Sequence, residues 1–145
     1  MGAVTVTDIQ VSPLKRIPVP GGDVLHGLKR TDEGFRAFAE AYFSIVNHGA
    51  VKAWKRHCEM TLNLIVPIGD VRFVFFADDD SEPRIEIAGE SAYVRLTVPP
   101  KIWFGFQGLA KPSSLLLNIA DITHDPSEVE RRDLDTFAYD WESRT

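Results

Sequence analysis

The sequence predicts an all-β protein, an antiparallel sandwich or barrel. First, β-branched and aromatic runs recur roughly every eight to twelve residues, with turn signals between them. Second, Gly, Pro, Asp and Asn punctuate these runs at Gly49, Gly69-Asp70 and Pro99-Pro100. Third, several runs are apolar on both faces. In VRFVFFA, Val71, Phe73 and Phe75 take one side, and Val74 and Phe76 the other.

The elements follow in order. Residues 12–22, SPLKRIPVPGG, close an extended N-terminal arm (1–22), because Pro disfavours helix and central strand alike. DVLHGLKR (23–30) is a short apolar–polar alternation. TDEGFRAF (31–38) is a turn or short helix with Thr31 or Asp32 as cap. Strands are expected at 40–47, 51–57, 61–69 and 71–77, then, after the acidic loop DDDSEP, at 84–89, 92–98, 101–109 and 113–121. Residues 122–145 read as a short C-terminal tail with one helical turn or two. The 145 residues, 44% hydrophobic and 26% charged, suit one domain with a full core. A small barrel needs one apolar face inside. The second apolar face then asks for a partner, most simply another subunit, so a homodimer is expected.

The net charge of -5 and the pI near 5.3 argue against general binding to nucleic acid or to an anionic membrane. No apolar run approaches a membrane span, and the start MGAVTVTDIQ has no signal-peptide pattern. The single cysteine, Cys58, forbids an internal disulfide and a cysteine zinc cluster, and fits a reducing cytoplasm.

Against that acidic background, VKAWKRHCEM (51–60) crowds Lys52, Lys55, Arg56 and His57 around Trp54, a cluster suited to a small anion. Strict alternation puts Lys55 and His57 on one face, and Lys52, Trp54 and Arg56 on the other. Val51 and Ala53 share the Lys55/His57 face, which favours it as the inner one. A bulge near Trp54 would turn Lys52 inward too. The bland alternative is a basic edge strand, where Lys guards against pairing. Asn63 and Asn118 interrupt apolar strands. Each is either bonded to neighbouring backbone or a ligand contact in a barrel mouth.

The segments GDVLHGLKRTDEGF, EAYFSIVNHGAVKAWKRH, NLIVPIGDVRFVFF, VPPKIWFGF, LLLNIADITHDP and YDW, over about residues 22–141, resemble the dTDP-4-dehydrorhamnose 3,5-epimerase family. That resemblance implies a cupin fold, a jelly-roll barrel or double-stranded β-helix, and metal-independent chemistry on a nucleotide-linked sugar with no cofactor. The cupin motif G-x5-H-x-H-x4-E-x6-G sets Gly49 and Gly69 on its two glycines. Lys55, His57 and Leu62 then stand at its ligand positions, and a lone imidazole does not make a metal site. The family's Arg-Gly-Leu-His segment, an anion-binding Arg and a base, becomes Lys52-Ala53-Trp54-Lys55 here. The family's Tyr falls near Asn118, a family His becomes Phe104, and its partner Asp lies beyond Trp141. The family's intersubunit Asp-x-Arg-Gly loop is reduced to Asp32-Glu33-Gly34, and the arm around His26 resembles the segment that crosses between subunits.

Epimerisation beside a ketone needs a base near the working pH and a group to steady the enolate oxygen. His57 suits the base role without much tuning. Lys55 is the base if burial and neighbours such as Arg56 or Lys52 lower its pKa, or it stays charged and steadies the enolate. Lys52 and Arg56 are candidates for phosphate. Asn63, Asn118, His26 and Trp103 are further candidate substrate contacts, Trp103 as an aromatic face or as core packing. These departures favour a 3-epimerase or a 3,4-ketoisomerase of a 4-keto-6-deoxyhexose over the double epimerase. The alternative is a sugar-nucleotide-binding cupin without catalysis.

Overall fold

The computed structural model describes residues 3–78 and 82–142. The tip of the acidic loop (79–81), the first two residues of the arm and the last three of the tail lie outside them. The strands run in chain order as β1 (Gln10–Pro13), β2 (Arg16–Ile17), β3 (Val24–Leu25), β4 (Glu40–Asn47), β5 (Val51–His57) and β6 (Leu62–Ile68). They continue as β7 (Asp70–Phe76), β8 (Arg84–Gly89), β9 (Val94–Val98), β10 (Trp103–Gly108), β11 (Ser113–Ala120) and β12 (Val129–Arg131).

One sheet has the order β1-β9-β6-β11-β4 and the other β12-β5-β10-β7-β8, while β2 and β3 form a small hairpin. The strand ladders are antiparallel. From β4 to β12 the chain changes sheet at every step except β7 to β8. That wrapping is the jelly roll expected from the sequence. The segment 31–38 forms turns rather than a helix: Asp32 and Phe35 donate their amides to Lys29 and Asp32 carbonyls. Asp32 Oδ2 also accepts the Lys29 amide at 2.8 Å, so the side chain caps a loop.

The main core lies between the sheets. Val71, Phe73 and Phe75 of β7 meet Leu62, Leu64 and Val66 of β6, Leu96 of β9 and Leu116 of β11. Each such buried side chain contributes on the order of 1.5–3 kcal/mol relative to exposure. Gly69 turns β6 into β7 with φ 77°, and a Cβ there would stand 2.4 Å from Ser114 Oγ. Only glycine fits both the conformation and the space.

The outer face of β7 corrects one expectation. Val74 and Phe76 are covered by this chain's own tail, not by a second subunit. They pack with Trp54, Trp103 and Phe137 in a second buried cluster, flanked by Tyr139 and Trp141. Phe137 stacks on Phe76 with centroids 4.5 Å apart, and Trp54 Nε1 donates to the Leu134 carbonyl at 2.9 Å. The tail also adds β12 to the edge of β5, a strand the sequence does not announce.

The other sheet is only half covered outside. The segment 27–34 that follows the arm lies over Asn63 and Arg95, which bond the Gly34 and Gly27 carbonyls. Phe43 and Ile45 on β4 remain 63% and 64% exposed, beside Ile68.

Phe137→Ala is expected to cost about 3 kcal/mol, the lower range for losing a buried aromatic. Urea unfolding followed by tryptophan fluorescence checks this, because Trp54 and Trp141 report on the same cluster.

Candidate functional site

The local event that builds the site is an irregularity in β5. Phe104 of β10 pairs with Lys55 and Phe106 pairs with Lys52, so two steps on β10 face three on β5. The extra residue is a bulge at Ala53-Trp54, where the peptide is cis. Gly105 opposes it, and a Cβ there would lie 2.5 Å from Ala53 Cβ. Directly paired residues share a face. Lys52 and Lys55 therefore both point with Phe104 and Phe106 between the sheets, while Trp54 turns outward into the second cluster.

A narrow cavity between the sheets is lined by Lys55, His57 and Phe104 from one side and Tyr42, Ser44 and Asn118 from the other. Sharing Ser44, Lys55, Phe104 and Phe106, it continues into a vestibule of about 450 Å³ lined also by Lys52, Arg131 and Arg132.

His57 is 4% exposed and stacks on Phe104 with centroids 6.2 Å apart. Its Nδ1 lies 2.5 Å from Glu128 Oε2, and Glu128 is 2% exposed. Glu128 Oε1 accepts the amides of Glu59 and Met60 at 3.0 and 3.1 Å. A carboxylate so held accepts a hydrogen bond from Nδ1–H and leaves Nε2 as the bare nitrogen of a neutral imidazole. Nε2 is buried and has no partner among the described residues. Burial holds the His57 pKa below 6.5, with the Glu128 hydrogen bond opposing. Burial pushes Glu128 up, but the bonds from His57 and the two amides outweigh it, so its pKa lies below 4.5.

Lys55 sits over the Phe104 ring at 5.7 Å. Its pKa is lowered first by burial and then by Arg131 and Lys52, with Glu128 opposing. The sequence anticipates burial and Lys52 as causes; Arg131, not Arg56, is the other cation. Lys52 is exposed at the vestibule, with Nζ 3.3 Å from the Ile45 carbonyl. Asn118 Nδ2 donates to the Tyr42 hydroxyl at 3.0 Å, and Asn118 Oδ1 is buried without a partner.

Lys52, Lys55, His57 and Asn118 thus converge on one space. Other candidates do not. Arg56 lies on the opposite face of β5, paired with Glu130 at 2.6 Å and 4.7 Å over the Trp103 ring. Trp103 is core packing for the tail, also covered by Arg132 at 4.4 Å, and offers no face to the cavity. Asn63 is satisfied beneath the 27–34 segment by Gly34, Arg95 and Thr97. His26 lines a separate cleft of about 390 Å³ beside Lys15, Lys29 and Arg95. Glu128, Arg131 and Tyr42 are absent from the sequence-based candidates. Asp125-Pro126 does signal the turn that carries Glu128, and Asp125 caps it by accepting Ser127 N. The pairing across 71 residues leaves no local trace.

No protein-family model matches this chain. A crystal structure of a dTDP sugar isomerase from Desulfovibrio desulfuricans G20 is 34% identical, covers 95% of this chain and 93% of that one, and superposes with a TM-score of 0.88. The chain belongs to the dTDP-sugar isomerase and epimerase family. Two further structures share the fold of this family member. A sugar 3,4-ketoisomerase from Thermoanaerobacterium thermosaccharolyticum, solved with TDP, is 18% identical with a TM-score of 0.74, covering 88% of this chain and 90% of that one. A dTDP-4-dehydrorhamnose 3,5-epimerase from Bacillus anthracis str. Ames, with TDP and PPi bound, is 15% identical with a TM-score of 0.77, covering 91% and 85%. A probable low-salt glycan biosynthesis epimerase from Haloferax volcanii is 26% identical over 91 residues. That match spans 59% of this isomerase-family chain and 58% of the curated relative.

The dyad sets a pH dependence. On acidification the folded chain binds fewer protons than the unfolded one at both His57 and Glu128. Their stabilisation is complete above about pH 6.5. It is lost as pH falls, first through the His57 range and then below about 4.5 through Glu128. Urea midpoints from about pH 8 to about pH 4 should fall in that order. In Glu128→Gln the charge that raises His57 is gone, so the His57 midpoint, read by NMR of the imidazole, moves lower still.

Proposed function

We propose that this family member is a sugar-nucleotide epimerase or ketoisomerase. It abstracts a proton next to the ketone of a nucleotide-linked 4-keto-6-deoxyhexose, without a metal or other cofactor, in deoxysugar biosynthesis. The observation that carries this is the His57–Glu128 pair, which leaves a neutral, unpartnered Nε2 in a cavity beside Lys55. Proton abstraction from carbon needs a base of this kind, and burial, by holding the His57 pKa below 6.5, keeps Nε2 unprotonated at neutral pH. As the C–H pair moves toward the ketone, negative charge grows on its oxygen. The Lys55 ammonium is costly in its buried, cationic surroundings, and that charge stabilises it in return. Metal independence is supported by the donor set: Lys55 and the buried, apolar Leu62 occupy two of the three cupin ligand positions.

Lys52, Arg131 and Lys55 give the vestibule a positive wall suited to a diphosphate. The non-catalytic alternative rests on Asn118 standing near the position of the family's Tyr. A carboxylate already seated on His57 weighs against it.

Incubation with TDP-4-keto-6-deoxyglucose in deuterated water tests the proposal by NMR. Deuterium is expected at carbon next to the ketone, and His57→Asn should slow its entry by about 10²-fold or more. Stabilisation by dTDP in thermal shift without exchange would sustain the binding module instead. Lys52→Met and Arg131→Met should weaken dTDP binding more than they slow exchange.

A homodimer, in which the uncovered Phe43, Ile45 and Ile68 pack against a second copy, belongs to the same proposal. Light scattering at micromolar concentration should give twice the chain mass, and Phe43→Asp should shift it toward the monomer.

A further inference from the structure

The cavity holds two buried acceptors that nothing in the described structure satisfies, His57 Nε2 and Asn118 Oδ1. They stand on opposite walls, His57 on β5 of one sheet and Asn118 on β11 of the other. Asn118 is 4% exposed. Its Nδ2 is committed to the Tyr42 hydroxyl at 3.0 Å and approaches Met60 Sδ at 3.8 Å. With the amide nitrogen so occupied, Oδ1 is the atom left for a ligand. The large majority of buried side-chain polar atoms in native proteins are satisfied, by protein, water or ligand. The donor expected here is on the substrate.

We infer that Asn118 is a specificity-determining residue whose Oδ1 accepts a hydrogen bond from the hydroxyl on the carbon next to the substrate's ketone. This rests on the proposed proton abstraction and narrows its substrate to α-hydroxy ketones. The matching follows from polarity. The ketone oxygen is an acceptor and pairs with the Lys55 ammonium. The carbon acid between ketone and hydroxyl faces the His57 Nε2 lone pair. The C–H bond breaks, an N–H bond forms on His57, and the electron pair moves into the carbon–carbon bond as the ketone oxygen becomes an enolate. Return of the proton from His57 reverses each change and restores the starting sugar with solvent hydrogen, whereas return to the opposite face gives the epimer. The hydroxyl is the remaining donor on that part of the sugar, and Asn118 Oδ1 is the remaining free acceptor. Tyr42 acts through Asn118 by fixing which way the amide points.

The test compares TDP-4-keto-6-deoxyglucose with its 3-deoxy counterpart, using kcat/KM for deuterium incorporation in the native protein, Asn118→Leu and Tyr42→Phe. The ratio of the two substrates within one protein is independent of how much of each variant folds. The native ratio should favour the hydroxyl-bearing sugar. Asn118→Leu should reduce that ratio by about ten-fold or more, as expected when a hydrogen bond to a substrate hydroxyl is removed. Tyr42→Phe, at the cavity mouth, should reduce it partway by freeing the amide to rotate. An unchanged ratio in Asn118→Leu overturns the inference while leaving proton abstraction by His57 standing. Absence of incorporation from either sugar in the native protein overturns the proposed reaction and the inference together.

Discussion

The extra residue that β5 carries opposite β10 governs the whole of the cavity end. It turns Lys52 and Lys55 the same way, between the sheets, and sends the Trp54 indole to the outside. An exposed indole on a sheet face needs cover, and the tail supplies it with Phe137 and Trp141. Before it reaches Trp54 the tail pairs with β5 through β12, and the turn before β12 sets Glu128 against His57. One backbone irregularity thus links the cationic wall, the outer cluster and the histidine's tautomer.

The electrostatics of the cavity run against those of the chain. The protein carries a net charge of -5, yet Lys52, Lys55 and Arg131 gather around one space. The nearby carboxylate, Glu128, is already occupied by His57 and two amides. Burial and like charge both disfavour the Lys55 ammonium. In the proposed reaction an incoming anion relieves that, so binding and charge stabilisation draw on the same imbalance. Arg56 shows the contrast. Adjacent in sequence but on the far face, it has its own carboxylate in Glu130.

Strand periodicity is set by local residue choice, so the strands from β4 to β11 were legible, as was the inward turn of Lys55 and His57. Lys52 was legible only through the bulge, since alternation by itself points it outward. Asn63 and Asn118 look alike in sequence, each a lone amide in an apolar strand. Their fates differ because the 27–34 segment folds over one and leaves the other facing a cavity, which is a tertiary fact. Likewise the apolar outer face of β7 suggested a second subunit, when the tail of the same chain had enough aromatic surface to cover it. Glu128 lies in HDPSEVE, a segment with turn signals and no strand pattern, and its meaning comes only from contact with a residue far back in the chain.

The position of β12 has a consequence for biosynthesis. It follows every other strand of the sandwich in chain order. During translation, β4 to β11 and the core between them leave the ribosome before Glu128 and the aromatic residues of the tail. The residue that orients His57 is therefore synthesised after every strand that walls the cavity.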